Sequence, residues 1–132
     1  MSEHPNVELA RRGYAAFGSG DMPALTELIA EDAVWHTGGR NAVSGVYEGR
    51  DAIFGFFAKL GELSEGTFSV EVHDILANDD HAVVLTTVRA AGSSGRTLAT
   101  HTADTSHIRN GQVAEFWSFS EDPYAFDDYF GV

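Results

Sequence analysis

The chain has 132 residues, enough for one domain with its own core, and its 43% hydrophobic and 11% aromatic content is that of a folded protein. Twenty acidic against eight basic residues give a formal charge of −12, which repels phosphate backbones and sets nucleic acid aside as a partner. Cysteine is absent, which excludes disulfides, thiolate nucleophiles and most zinc sites. No apolar run approaches the roughly 18 residues of a membrane span and no signal-peptide pattern opens the chain, so a cytoplasmic protein without a membrane partner is expected.

A helix is predicted over residues 5–18, with Val7, Ala10, Tyr14 and Phe17 on its apolar face and Gly18-Ser19-Gly20 at its end. Asp21 then caps a second helix with Pro23 in its first turn. Ala24, Leu25, Leu28 and Ile29 fall on one face of that helix, and it passes through Glu31 and Asp32 into a short strand, Ala33–Trp35. His36 is left where that strand ends. A glycine-rich stretch follows, with Val46 and Tyr47 extended, and a third helix opens near Asp51 with Ile53, Phe56, Phe57 and Leu60 at helical spacing.

From Thr67 the period changes to two: Phe68, Val70, Val72 and Asp74 alternate with Ser69, Glu71 and His73. Strands 81–90, 96–108 and 113–120 follow, separated by Gly92–Gly95 and Asn110-Gly111. Asp122-Pro123 starts a final helix whose Tyr124, Phe126, Tyr129 and Phe130 can cover an open end. Helices first and hairpins after predict a single α+β domain over residues 1–132, a cone-shaped curved antiparallel sheet wrapped around three helices and enclosing a hydrophobic pocket. Strands 67–77, 81–90 and 112–120 are apolar on both faces, which predicts a homodimer through the convex face of the sheet.

The segments GDMPALTELIAEDAVWH, SGVYEGRDAIFGFF and HIRNGQVAEFW, in that order, resemble the nuclear-transport-factor-2-like superfamily, whose cystatin-like α+β barrel carries the SnoaL-like polyketide cyclases and ketosteroid isomerases. The resemblance runs from about Val7 to Tyr124. It implies a general base just past the first strand, where this chain has His36. It also implies an oxyanion donor on the penultimate strand, where this chain has Asp104; a protonated aspartic acid fills that role in the ketosteroid isomerase used as the general example of such tuning. Two departures stand out. The base is a histidine and not an aspartate, and the donor tyrosine of the first helix is replaced by Gly13, with Tyr14 turned about 100° around the helix. The resemblance also favours a three-residue loop Arg109-Asn110-Gly111, pairing Asp104 with Phe116, over a two-residue loop pairing Asp104 with Trp117. Phe116, Ser118 and Ser120 then face inward, and Trp117 and Phe119 face the partner.

His36 is either a base or ligand-orienting group, since imidazole titrates near neutrality, or a strand-end histidine bonded to a backbone carbonyl. Asp104 lies among Thr100, Thr102 and Ser106, which makes one strand face polar and places it either in the pocket or in solvent. If the two meet, a neutral Asp104 would donate to an oxyanion and an ionised one would hold the His36 tautomer. Tyr14, Phe57, Thr102, Phe116 and Ser118 are the expected substrate contacts. His101 and His107, six residues apart or about 20 Å along a strand, make no metal pair, and the glycine pairs lack phosphate-loop spacing, so neither metal nor cofactor is expected. The leading expectation is cofactor-independent acid–base chemistry on a small apolar carbonyl compound: isomerisation, cyclisation or dehydration. A non-catalytic binding or assembly module is the alternative, and epoxide hydrolysis through an Asp104-activated water the third.

Overall fold

Capping geometry decides where the first helices begin and end. The computed structural model describes residues 3–131. In α1 (Pro5–Ser19) the His4 ring accepts the Asn6 amide at 3.1 Å, proline takes the first turn, and Gly20 closes the helix at φ +69°, a left-handed conformation that glycine adopts without strain. In α2 (Met22–Leu28) the Asp21 carboxylate accepts the Ala24 amide at 3.2 Å. The chain then enters β1 (Ile29–Thr37) with no linker, because Ile29 is already extended at φ −108° and ψ 127°. The first strand is therefore longer than the predicted Ala33–Trp35. Glu31 and Asp32, which read as a loop, lie in an irregular stretch where the register shifts, and they project into solvent.

After β2 (Gly45–Glu48), α3 (Arg50–Leu63) buries Ile53, Phe56 and Leu60, with Ile53 fully enclosed at 0% exposure. Four long strands follow, β3 (Ser69–Ala77), β4 (His81–Ala90), β5 (Leu98–Arg109) and β6 (Gln112–Ser120), and then α4 (Pro123–Phe130). The six strands form one curved sheet in the order β2-β1-β6-β5-β4-β3. The fold is α+β as predicted, with two refinements: β1 and β6 run parallel while every other pair is antiparallel, and β2 and β3 are free edges, so the barrel does not close. The helices cover the concave face. Among the described residues, no helix is long and apolar enough to cross a membrane.

Two bulges set which residues face inward. In β3 the pairing slips at His73: Val72 lies opposite Thr86 but Asp74 opposite Leu85, so Ile75, and not Asp74, continues the inner face. In the last hairpin, Asn110 (φ +53°) and Gly111 (φ +74°) form a two-residue loop with Arg109 opposite Gln112, correcting the predicted three-residue loop. A bulge at Ala114 then adds one residue, so that Asp104 lies opposite Ser118, matching neither predicted register. Phe116 and Ser118 nevertheless face the helices and Trp117 and Phe119 the outer side, because bulge and loop together restore the expected parity.

Candidate functional site

The space between helices and sheet is a cavity walled by hydrocarbon. Trp35 of β1 stacks on Phe116 of β6 with ring centres 4.2 Å apart and planes 10° from parallel. Phe57 of α3 meets Trp35 edge-on at 5.7 Å, and Phe17 of α1 meets Phe57 the same way at 5.1 Å. Phe126 and Phe130 bring α4 to the same space. That helix is tied down at its far side, where the Asp127 carboxylate accepts the Arg40 amide and the Asn41 side-chain amide, both at 2.8 Å. Gly39 permits this contact: it sits at φ +85°, and a Cβ there would lie 2.6 Å from the Asp127 carboxylate.

A polar cluster around Asp104 interrupts the apolar wall, and outside it Ser106 and Thr37 also line the cavity. Asp104, only 6% exposed, points inward from the middle of β5. Its Oδ2 accepts the Tyr14 hydroxyl from α1, and its Oδ1 accepts both Ser118 Oγ at 2.6 Å and Thr102 Oγ1 at 2.9 Å. Burial raises the Asp104 carboxyl above its ordinary range, because the charged form is kept from water. The hydroxyls of Ser118, Tyr14 and Thr102 pull the other way without cancelling that effect. Burial first, and then the neighbouring carboxylate, hold the Tyr14 hydroxyl well above its usual value, so it stays a proton donor at neutral pH. Tyr14 is the side chain of the first helix that reaches Asp104, one residue beyond the position where a tyrosine was expected. It shares the inward stripe of Ala10, and the side-chain-free Gly13 beside it leaves only open space on the cavity wall.

His36 is not in this cavity, and the expected pairing with Asp104 does not form. Because β1 extends to Thr37, His36 is a strand residue. Trp35 lies opposite Phe116 and points in, while His36 lies opposite Trp117 and points out. On the convex face its Nε2 sits 2.7 Å from Glu115 Oε2, its ring stacks on Trp117 at 4.9 Å, and His107 approaches the other Glu115 oxygen at 3.4 Å. Of the expected contacts, Tyr14, Phe57, Phe116 and Ser118 line the cavity, whereas Thr102 lies behind Asp104 and reaches it only by its hydroxyl. Trp35 and Ser106 also line the cavity and were not among the expected contacts. Strand period sets Trp35 and His36 on opposite faces once both are in the strand, and pairing with β6 decides that Trp35 is the one facing in. Among the described residues, no group of His, Asp and Glu side chains is arranged to hold a metal.

The model of the SnoaL-like domain matches residues 10–116 of the chain. The chain belongs to the SnoaL-like domain family. Bal32a, from a soil-derived mobile gene cassette, shares the fold of this SnoaL-like protein with a TM-score of 0.92 at 38% identity, over 96% of this chain and 97% of its own. An uncharacterised protein of Mycobacterium tuberculosis, Rv0034, is 28% identical over 129 residues, 98% of each chain. IdmH of Streptomyces antibioticus, provisionally assigned as a polyketide cyclase, is similar in fold alone, with a TM-score of 0.73 at 24% identity over 90% of this chain and 93% of its own.

Proposed function

We propose that this protein is a cofactor-independent acid–base enzyme of the isomerase or cyclase type, acting on a small apolar carbonyl compound held in the helix–sheet cavity, with Asp104 as the base. The observation that carries this reading is a buried carboxylate with its tyrosine donor in the wall of a largely apolar cavity. Asp104 takes a proton from the carbon next to the carbonyl; the C–H electron pair becomes the enolate double bond and the carbonyl π pair moves to oxygen. Neutralised, Asp104 is a weaker acceptor, which frees the Tyr14 and Ser118 hydroxyls to donate to the enolate oxygen. Returning the proton to a different carbon completes an isomerisation. If the enolate carbon instead attacks a second carbonyl, the same proton quenches the new alkoxide and closes a ring. The polyketide-cyclase assignment of IdmH, a protein of the same fold, lies in this class.

A non-catalytic binding module is the second reading, favoured by the three hydroxyls that already satisfy Asp104. Deuterium exchange separates the two. A bicyclic ketone in buffered D₂O is expected to gain deuterium at its α-carbon faster with the protein than without it; binding without exchange would leave the module in front. His36→Ala is expected to exchange at the wild-type rate, because the imidazole lies on the opposite face of the sheet from Asp104. A large loss in that variant would restore the histidine as base.

The second proposal is a homodimer through the convex face. Phe119 and Leu76 are exposed there at 60% and 53%. On a chain of charge −12, Glu115 in the middle of this face is already paired with His36 and His107, and the outward carboxylates Glu48, Glu71 and Asp74 lie on the edge strands β2 and β3, so a second copy seated on the centre of the face meets little unpaired like charge. Sedimentation at micromolar concentration is expected to give twice the chain mass, and Phe119→Glu to give the monomer; a wild-type monomer would rule this interface out.

A further inference from the structure

The bonds around Asp104 are unequally shared between its two oxygens. Oδ1 takes two hydroxyl donors, Thr102 and Ser118, which fills the two lone-pair directions of a carboxylate oxygen. Among the described residues, Oδ2 takes Tyr14 alone and keeps one direction without a donor. The two donors on Oδ1 differ in kind. Ser118 lines the cavity and can turn to a ligand, whereas Thr102 is 5% exposed, stands behind the carboxylate and lines no part of the cavity. Thr102 is itself held. Directly opposite on β4, Thr86, 2% exposed, places its Oγ1 2.5 Å from Thr102 Oγ1. A hydroxyl has one proton, and Thr102 gives its own to Asp104, so Thr86 must be the donor in that contact. The protons therefore point in one direction, from Thr86 to Thr102 to Asp104, in a region closed to water.

We propose that Thr102, clamped by Thr86, is a positioning residue: it holds the Asp104 carboxylate by Oδ1, turns it in its plane, and leaves Oδ2 as the atom that accepts the substrate proton. This deepens the acid–base reading and rests on it for its catalytic meaning. Among the described residues, no other charged side chain lies against the carboxylate. Tyr14 is the titratable side chain that α1 turns to it. The cavity residues of α2, α3 and α4 are apolar (Leu25, Phe57 and Phe126 among them), Val84 and Thr86 face it from β4, and Phe116 and Ser118 from β6.

The test follows the Asp104 side-chain carboxyl by carbon-13 NMR across pH in the protein alone, beside the pH profile of ketone exchange. Thr102→Val removes one donor to the ionised form, so the Asp104 midpoint is expected to move up and the exchange profile to move with it. Thr102→Ser, which keeps the hydroxyl, is expected to return both to wild type. Thr102→Ala gives the same upward shift should valine not fit. A merely structural threonine would lower the melting temperature of the valine and alanine variants and leave the midpoint in place; that result, or failure of serine to restore it, overturns the proposal. The NMR midpoint is read with no substrate present. An unmoved midpoint therefore sinks the role of Thr102, whereas a moved midpoint with no exchange in wild type keeps the positioning and sinks the enzyme.

Discussion

Asp104→Asn is expected to slow α-carbon exchange by roughly 10²–10⁴-fold, the usual contribution of a general base. The amide nearly matches the carboxyl in volume, so the cavity keeps its shape, but it offers one acceptor oxygen where the carboxylate offers two. Tyr14, Ser118 and Thr102 cannot all donate to it as they do to Asp104. A loss smaller than tenfold would remove Asp104 as base and point to a neutral acid that an amide can replace as a donor. The same variant carries a stability signature whose sign follows from burial. The Asp104 carboxyl is raised in the folded protein above its ordinary 3.8, so its ionised form is disfavoured by folding. The contribution of this group to stability is therefore fully present below 3.8, declines as pH rises through the folded midpoint, and is constant above it. Wild type is expected to lose stability relative to Asp104→Asn across that window, read by urea melts at successive pH values. A difference between the two proteins that grew in favour of wild type with rising pH would mean that the three hydroxyls, and not burial, dominate the site. Wild-type exchange should rise with pH through the same midpoint, because only the ionised carboxylate accepts a proton.

Trp35→Ala is expected to cost about 3–5 kcal/mol, the range for deleting a large buried aromatic, and to be the most destabilising change in the cavity wall. Trp35 is 7% exposed, lies face to face with Phe116 and receives the edge of Phe57, so its loss removes the stacking partner of Phe116 and one of the ring contacts of Phe57. The surroundings cannot collapse into the gap easily, because Trp35 is fixed in the middle of a strand hydrogen-bonded on both sides, to β2 and β6. Denaturant melts check the magnitude. Trp35→Phe, which keeps a ring in place, is expected to recover most of the loss while widening the cavity. A cost below about 1 kcal/mol for the alanine variant would mean that the aromatic wall is not load-sharing and that the cavity is softer than its ring contacts imply. The consequence for function is separable: Asp104 sits on β5, not on β1, so the alanine variant should retain a carboxyl of nearly unchanged midpoint while losing grip on a planar apolar ligand.

Much of the fold was written in short-range chemistry. Asp21 with Pro23, Gly20 after α1, the helical spacing of Ile53, Phe56 and Leu60, and the period of two in the late strands each act within one element, and their cause is local: a cap accepts an amide three residues on, and a period is a property of one backbone. Asn110-Gly111 marked the place of the last turn in the same way, but its length was not legible: a two-residue loop with both residues at positive φ stands where three residues were expected. The polar stripe Thr100, Thr102, Asp104 and Ser106 was also legible as one strand face, and it is the face turned inward.

What only the tertiary structure decided is where strands slip and which distant side chains meet. The bulges at His73 and Ala114 exist because a strand settles against its neighbour, and a one-residue slip reverses every side chain beyond it. His36 went to the convex face for the same kind of reason: β1 continues past Trp35 because β2 and β6 pair with it there, so its alternation runs on through His36. The contact of Tyr14 with Asp104 joins residues 90 apart in sequence, and it depends on the rotation of α1 against the concave face. No spacing records that rotation; packing sets it. The sequence by itself determined the elements, their order and the polar strand. The pairing of those elements decided that the acid faces the cavity with a tyrosine and two further hydroxyls, and that the histidine does not.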